Sequence, residues 1–378
     1  MANSFTNILP VLTKAAQVVS RESVGMLRSV NLDASPQGVN LGATINLPKA
    51  PAASSTTWTP AVNPTTADTT ATGVQLSLTL AKEVPWHVTA EQASAMNKGD
   101  ATAMRWFELQ ASQAFRTLAN TIELYLWGLA RLGSSRAIGT AGTTPFASTL
   151  AAAAQVAQIL DENGAPAQGR SLVMNPACAA NAKALFANVA STQDRSSFGA
   201  GILPEISGLM PQMSNQIAAV TKGTGASYLV NKTANLAVGD TTIPMDTGSG
   251  TILAGDVFLI GTGGLYYVAK TALAAGSLTI NDPGIYKAAL NNAVVTVQAT
   301  HVQNIALSRD ALYAVVRPPL QDPDLASSGQ EQVTVVDPIS GIAFGVYKKI
   351  GDGLTHYSAR VIYGGVVVES RHIATLMG

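Results

Sequence analysis

The sequence predicts a mixed α+β protein that carries a small inserted all-β domain. One amphipathic helix of unusual length is expected from Asp100 to Gly133. Before and after it, several segments alternate apolar and polar residues with the period of a β-strand. At Lys222 the composition changes, and from there to Thr300 short strands alternate with turn residues. A long helix, scattered strands and a β-rich block together favour the α+β class.

The long helix is the element around which the rest of the prediction is built. Its apolar residues recur every three or four positions and so share one side of a helix. Asp100 is placed to cap the first turn with its carboxylate, and Gly133 to end the helix in a left-handed conformation. A helix of this length measures roughly 48 Å, against about 11–12 residues for an ordinary globular helix. We therefore interpret it as a structural beam. The apolar stripe consists of Met104, Phe107, Ala111, Phe115, Leu118, Ile122, Tyr125, Leu129 and Leu132.

The composition points to a protein whose surface is largely covered by other subunits. Charged residues make up 12% of the 378-residue chain, about half of the usual share of roughly 25%. A soluble monomer needs a charged surface without large apolar patches. Basic and acidic residues number 23 each, so the chain lacks the overall positive charge of a strong nonspecific nucleic-acid binder. We expect no secretion signal and no membrane span, and the single Cys178 excludes an intrachain disulfide.

The N-terminal segment predicts a helix from Asn7 to Val30 with a basic side. Lys14, Arg21 and Arg28 are spaced by seven residues, so on one helix they share a face. That face lies opposite the apolar one. Two interpretations remain open: a solvated helix face, or a contact with an anionic partner.

Two alternating segments predict an extended β arm. They run from Val39 to Leu47 and from Val74 to Leu80, and a polar connection rich in Pro, Thr and Ala separates them. Lys49 lies in this arm, and Trp58 lies in the connection between its strands. A two-stranded arm is marginal by itself and exposes its edges, so we expect another subunit to receive it. A disordered linker is the alternative.

The remaining elements follow from local signals along the chain. Thr89 to Gln92 has the pattern of a capping box. Helices are predicted at Ser148–Asn163 and Ala177–Asn188, and Cys178 in the second is expected to be a small core residue. The block from Lys222 to Thr300 predicts a barrel or a sandwich. Further predictions are a strand at Arg170–Met174, a helix near Ser308–Val316, and strands at Glu331–Asp337, Ile342–Ile350, Thr355–Tyr363 and Val366–Thr375.

We find no motif that predicts catalysis, a cofactor or a metal ion. The glycine-rich run from Gly261 to Gly264 precedes a strand, whereas a phosphate loop needs a following helix. It therefore reads as a hairpin turn. His87, His301, His356 and His372 are far apart in sequence and form no metal-binding motif. We expect the protein not to be an enzyme.

Several stretches resemble the major capsid proteins of tailed double-stranded DNA bacteriophages. They are MANSFTNILP, LDENGAP followed by RSLVMNPA, NIALSRDALYAVVRP and RVIYGGVVVES. The order of the parts is similar as well, since a β arm, one long helix and a central α/β region follow the N-terminal helix. The inserted β domain resembles that of the coat proteins of short-tailed phages.

This resemblance implies a division of the chain into named parts. Residues 1–32 would form the N-terminal arm helix, and residues 33–86 the extended β arm, or E-loop. Residues 87–143 would hold the spine helix and part of the peripheral P domain, and residues 144–221 the first part of the central A domain. Residues 222–300 would be the inserted β barrel, and residues 301–378 the returning strands and helix of the P and A domains.

The function that the resemblance implies is the assembly of an icosahedral phage head. Hexamers and pentamers of this chain would enclose double-stranded DNA, with a scaffolding protein and a portal as further partners. The protein would be made in the bacterial cytoplasm and end in the virion capsid. A shell protein of a non-viral nanocompartment with the same fold is the alternative. An α/β enzyme and a secreted adhesin are disfavoured, because the motifs of the first and the signal peptide of the second are missing.

The same resemblance suggests roles for particular residues. Lys14, Arg21 and Arg28 would face the scaffolding protein or the genome, and Lys49 and Trp58 would contact a neighbouring subunit. Gly73, Gly99 and Gly133 are hinge candidates for shell expansion. Some members of the family crosslink an arm lysine to an asparagine of the next subunit, but we expect no such crosslink at Lys49.

Overall fold

A computed structural model describes residues 5–17, 23–49, 55, 57–62, 72–189, 203–320, 330–337, 341–351 and 353–378. The α-helices are α1 Phe5–Ala16, α2 Gly25–Ser29, α3 Ala90–Asn97, α4 Ala101–Gly133, α5 Ala151–Glu162 and α6 Pro176–Val189. Two short 3₁₀ turns are Arg309–Ala311 and Ser370–His372. Within the described ranges, no helix is both long enough and apolar enough to span a membrane.

The β-strands fall into a peripheral sheet, a central sheet with an adjoining barrel, and an arm. Those of the peripheral sheet and arm are β1 Asn31–Asp33, β2 Thr44–Lys49, β3 Thr72–Ser77, β4 Leu80–Thr89, β16 Leu312–Arg317, β17 Gln330–Val336, β18 Ala343–Gly351 and β19 Leu354–Val367. Those of the central sheet are β5 Arg136–Gly139, β6 Arg170–Met174, β7 Met210–Met213, β8 Ala219–Val220, β15 His301–Ser308 and β20 Ile373–Met377. Those of the barrel are β9 Tyr228–Val230, β10 Thr242–Asp246, β11 Val257–Ile260, β12 Tyr266–Val268, β13 Ser277–Thr279 and β14 Val294–Val297.

The long helix α4 confirms the predicted beam and packs on the peripheral sheet. Asp100 caps it as predicted, since its Oδ1 accepts a hydrogen bond from Thr102 N at 2.8 Å. Phe107, Phe115 and Ile122 are buried against the sheet, in one hydrophobic core with Phe344 and Val361. The sheet has the order β1-β16-β19-β18-β17, and β4 also pairs with β19. The predicted capping box is present as well, with Thr89 and Gln92 exchanging hydrogen bonds at the start of α3.

The prediction that Gly133 ends the helix in a left-handed conformation is wrong. The residue after it, Ser134, is extended with φ −65° and ψ 138°. The carbonyl groups at this end are instead capped by Asn281 of the barrel, whose Nδ2 donates to Leu132 O at 2.6 Å and to Ser134 O at 3.0 Å. Gly133 is required by close packing, because a Cβ there would lie 2.6 Å from Cγ2 of Val367.

The predicted single helix from Asn7 to Val30 is also wrong. Helix α1 ends at Ala16, and Val24 forms an isolated antiparallel bridge with Ser214 before α2 begins. A side chain at Gly25 would lie 2.8 Å from Met213 O, so the backbone of this segment comes very close to the central region. Tertiary contact therefore interrupts a sequence whose apolar spacing favours one helix.

A strand replaces the helix predicted near Ser308–Val316. After the 3₁₀ turn at Arg309–Ala311, strand β16 pairs in parallel with β1 and antiparallel with β19. Its central valines, Val315 and Val316, are fully buried. Their β-branched side chains suit a pleated sheet, and partners on both sides supply the hydrogen bonds. Strand β19 likewise runs without a break through Gly364 and Gly365, where two strands were predicted.

The arm and the β block agree with their predictions in outline. Strands β2 and β3 form an antiparallel hairpin, although β2 begins only at Thr44, because Gly42 turns the chain with φ +88°.

Strands β9 to β14 surround a hydrophobic core of their own. A bridge between Ala269 and Ile280 joins the two outer strands, so the six strands close into a barrel. Strand β12 also pairs with β5, which makes the barrel continuous with the central sheet. The exact domain boundaries stay a prediction.

Gly133 and Gly128 offer a matched test of this packing. We expect Gly133→Ala to lower the free energy of unfolding by about 1–3 kcal/mol, because the new methyl group overlaps Val367. Gly128 lies in the same helix and a Cβ there meets nothing within 4 Å, so Gly128→Ala should raise the free energy by about 0.5–1 kcal/mol. Chemical denaturation of the two variants measures both effects. Equal stabilisation by both would contradict the packing role of Gly133.

Candidate assembly interfaces

A buried carboxylate of the long helix holds the N-terminal segment in place. Glu123 lies in α4 and is 0% exposed. Its Oε1 accepts from Met26 N at 2.7 Å and its Oε2 from Leu27 N at 3.0 Å, so it caps α2. Burial raises the pKa of Glu123, while hydrogen bonds from the two backbone amides and Ser214 and the nearby charge of Arg28 lower it. The three hydrogen-bond donors and Arg28 all favour the ionised form of Glu123. Through these hydrogen bonds the carboxylate connects α4 to α2 and to the segment that contains Ser214.

The predicted basic residues do not share one helix face. Lys14 lies in α1 and Arg28 in α2, on either side of the bridge residue Val24, while Arg21 lies outside the described residues. Lys14 Nζ forms an ion pair with Glu108 Oε2 of the long helix at 3.3 Å, although its side chain stays 64% exposed. Arg28 is exposed. Their role towards a scaffold or DNA stays a prediction.

The arm is anchored at its stalk and exposed at its tip. Leu76 and Leu78 of the arm are buried against Val315 and Ile362 of the peripheral sheet. Lys49 Nζ lies 2.8 Å from Glu369 Oε2 and donates to Val368 O at 3.1 Å. Lys49 is therefore engaged within its own chain. At the tip, residues 57–62 are all exposed; Trp58 is 75% exposed and Val62 61%.

The outer side of the long helix is an uncharged exposed surface. Successive residues of a helix are rotated by about 100°, and the uncharged residues described here fall on one side of α4. Three of them have large apolar side chains that are exposed: Trp106, Leu109 and Leu124. Thr117 and Thr121 donate their hydroxyls to backbone carbonyls one turn earlier, at 2.9 and 2.8 Å. We call this the outer helix face; it consists of Trp106, Leu109, Gln110, Gln113, Thr117, Thr121 and Leu124. Between it and strand β4 lies a groove of about 540 Å³.

Three glycines were predicted as hinges, and their surroundings differ. Gly99 lies between α3 and α4 with φ +83°, and a Cβ there meets nothing within 4 Å. Gly73 lies in strand β3, where the nearest atom to a Cβ is Leu47 O at 3.9 Å. Gly133 is closely packed, as described above. A hinge role stays a prediction for all three.

A polar cluster joins the barrel to the end of the long helix. The buried Asp256 accepts from Gly223 N at 3.0 Å and from Leu253 N at 2.7 Å, and so fixes the start of the barrel. Burial raises the pKa of Asp256, although these hydrogen bonds and the nearby Arg131 and His301 side chains oppose the rise. Asp256 thus connects the barrel to a residue of α4 and to the first residue of β15.

His301 in this cluster is hydrogen-bonded as a neutral imidazole. Its Nδ1 lies 2.6 Å from Ala299 O, which requires a donated proton, and its Nε2 lies 3.3 Å from Gln303 Nε2, which can donate to it. Burial lowers the pKa of His301, with Arg131 adding to the effect and Ala299 and Asp256 opposing it. A second proton on His301 would sit on Nε2 and would face the NH₂ group of Gln303, which is also a donor.

The groups suited to chemistry are dispersed or buried. Cys178 is fully buried, and burial raises the pKa of its thiol to about 12, which agrees with the predicted core role. Gly261 and Gly264 have positive φ in the hairpin between β11 and β12. In the described part of the chain, no three or more His, Cys, Asp or Glu residues are grouped so as to hold a metal ion. One feature was missed from sequence: His87 and His356 lie opposite each other in β4 and β19.

Comparisons with known proteins find similarity in structure only. No family model and no curated protein matches the chain. The capsid of the cyanophage P-SCSP1u is 12% identical, with 92% of this chain and 86% of that chain covered and a TM-score of 0.46. The mature capsid of bacteriophage PhiM1 is 9% identical, with 93% and 86% covered and a TM-score of 0.45. A virus-like particle from Pyrococcus furiosus is 10% identical, with 98% of each chain covered and a TM-score of 0.44. Because the TM-scores lie below 0.5, the functional argument depends on the chain's own sequence and geometry.

Glu123 can be tested by the backbone amides that it binds. We expect Glu123→Ala to speed hydrogen exchange at Met26 and Leu27 at least tenfold and to lower the free energy of unfolding by about 2–4 kcal/mol, because two buried donors lose their acceptor. Glu123→Gln keeps one acceptor oxygen and should give an intermediate effect. The exposed Glu91 offers a control, since Glu91→Ala should leave both amides unchanged. Unchanged exchange in Glu123→Ala would contradict the capping role.

The buried His301 predicts a pH dependence of stability. Because its folded pKa lies below the unfolded value of about 6.5, the unfolded chain binds more protons as the pH falls past that value. The free energy of unfolding should therefore decrease from pH 7.5 to pH 5.5, by at most about 1.4 kcal/mol per pH unit for this residue. Denaturation of wild type and His301→Gln measures it. The variant should show a shallower slope than wild type; equal slopes in the two proteins would exclude His301 as the source.

Proposed function

We propose that this chain is the major capsid protein of a tailed double-stranded DNA bacteriophage. In this role it assembles into hexamers and pentamers of an icosahedral head and is found in the virion. The observation that carries the proposal is that one chain has two exposed, uncharged surfaces. They are the tip of the arm and the outer helix face. The sequence resemblance described above supplies the family. Charged residues at 12% of the chain agree with a subunit that is covered by its neighbours.

The exposed arm tip supports contact with a second copy. The stalk is held by Leu76, Leu78 and the Lys49–Glu369 ion pair, so the arm projects from a fixed base. At the tip, Trp58 and Val62 present apolar surface to water. Removing such surface from water is worth about 25 cal/mol per Å², so an exposed tryptophan is a typical interface anchor.

The outer helix face supports the same proposal as the surface that receives a neighbour. It combines Trp106, Leu109 and Leu124 with threonines whose hydroxyls are already bonded to the helix backbone. The two threonine hydroxyls therefore need no new partner when this face is buried. Since no charged residue belongs to it or to the arm tip at residues 57–62, contact between the two surfaces has no charge to desolvate. Many such contacts, each weak, become strong together when a shell closes.

Further partners follow from the same assignment. The exposed Lys14 and Arg28 favour an anionic partner, either a scaffolding protein or the packaged DNA. The closed barrel of β9 to β14 favours the short-tailed-phage subtype, in which an inserted β domain stabilises the subunit. Gly73, Gly99 and Gly133 are proposed to absorb domain rotation during shell expansion. The engagement of Lys49 with Glu369 argues against its use in a crosslink.

Negative-stain electron microscopy of the purified full chain, with and without a scaffolding partner, tests the proposal. We expect shells of uniform size. A chain that stays a monomer under both conditions would exclude the proposed function. Shells that form around a cargo protein without any scaffold would favour the nanocompartment alternative.

The arm provides a second test at the level of residues. We expect Trp58→Ser combined with Val62→Ser to abolish shells or reduce their yield at least tenfold, while circular dichroism and the thermal midpoint stay as in wild type. The matched control is Val238→Ser in the barrel, which removes an equally exposed apolar side chain at 67% exposure. Normal yield from the arm variant would show that the tip contributes no contact.

A further inference from the structure

Two histidines that are far apart in sequence are cross-strand neighbours in the peripheral sheet. His87 of β4 and His356 of β19 are directly paired in a ladder that runs from Leu354–Thr89 to Tyr363–Leu80. Their ring centroids are 6.5 Å apart, and the ring planes are tilted by 50°. Both side chains are exposed. Within the described residues neither ring has a hydrogen bond, so the nitrogens of both are accessible from solvent.

This spacing is close to that of two imidazoles bound to one metal ion. Zinc–nitrogen distances of about 2.0–2.1 Å and a tetrahedral angle place two ligand rings roughly 5 Å apart between centroids. Directly opposed residues on antiparallel strands have Cβ atoms about 4.5–5.5 Å apart, so a change of side-chain torsion can close the remaining distance. The backbone need not move, because the strand pairing already sets the two positions.

The surroundings define which ion could bind. On the other side of His356, strand β18 places the exposed Lys349 in register. Glu83, four residues before His87, is occupied by Arg360 at 3.2 Å. The site thus offers two imidazole nitrogens as ligands, a neighbouring lysine side chain and open positions for water. Ions that prefer oxygen, such as Ca²⁺ and Mg²⁺, are disfavoured, and borderline ions that prefer imidazole are favoured.

We propose that His87 and His356 form a two-histidine chelate for Zn²⁺, Ni²⁺ or Cu²⁺. The bound ion links β4 to β19. Because β4 directly follows the arm in the chain and leads into α3, the ion stabilises the base from which the arm projects. Water or a group from another molecule completes the coordination. The proposal is independent of the shell function, because it needs only the folded chain.

Isothermal titration calorimetry of the full chain with NiCl₂ and with ZnCl₂ at pH 7.5 tests the site. Wild type should bind one ion, and His87→Ala and His356→Ala should each weaken binding at least tenfold. Affinity should fall at pH 5.5, since imidazole must lose its proton to bind a metal. As a matched control, His372→Ala removes a histidine at the far end of the chain and should bind like wild type.

Lys349 makes the test specific to this place on the sheet. Lys349→Gln removes the neighbouring positive charge and should tighten binding severalfold at low salt, with a smaller effect at high salt. The substitutions are at exposed positions, so circular dichroism should show an unchanged fold. An absence of binding in wild type, or binding that survives both His87→Ala and His356→Ala, would overturn the proposal.

Discussion

The contact between the long helix and strand β19 is the constraint on which the remaining structure depends. Two glycines bring the two elements together. A Cβ at Gly133 would lie 2.6 Å from Val367, and one at Gly365 would lie 2.8 Å from Leu129 Cδ1. Gly364 faces the other side of the same strand, where a Cβ would lie 3.0 Å from Leu78 Cδ2 of the arm. One strand thus packs the long helix on one face and the arm on the other, at distances that only glycine allows.

Other parts of the chain contact the long helix at defined positions along its length. Lys14 contacts Glu108 near its start, Met26 and Leu27 are held by Glu123 near its middle, and Asn281 of the barrel caps its end. A buried charge is costly unless it is paired or hydrogen-bonded, so the position of Glu123 defines where the N-terminal segment can dock. A rigid helix with separate attachments can transmit movement of one part to the others.

Local signals in the sequence predicted the elements that depend on local physics. The long helix, its Asp100 cap, the Thr89 capping box, the arm hairpin and the barrel strands all follow from periodicity and capping chemistry. The incorrect predictions lie at positions where contacts with residues distant in sequence determine the secondary structure. Ser308–Val316 has a helix-compatible pattern but is drawn into a strand by β1 and β19, and Gly133 looks like a helix stop but serves packing. The His87–His356 pair depends on strand register, which the spacing of residues along the chain does not report.

The scarcity of charge has a physical consequence for specificity. Under the proposed function, surfaces such as the outer helix face and the arm tip would attract one another by burial of apolar area, which has no direction. Direction must then come from shape and from the fixed base of the arm. The Lys49–Glu369 ion pair and the buried leucines at positions 76 and 78 supply that base, so the tip can reach only a limited region beyond its own subunit. Several charged residues of the chain are paired within the subunit, as in the pair Arg317–Asp33, and the proposed contact between copies is left to uncharged surfaces. The proposed contact between the arm tip and the outer helix face should therefore depend weakly on ionic strength, because neither surface as defined contains a charged residue.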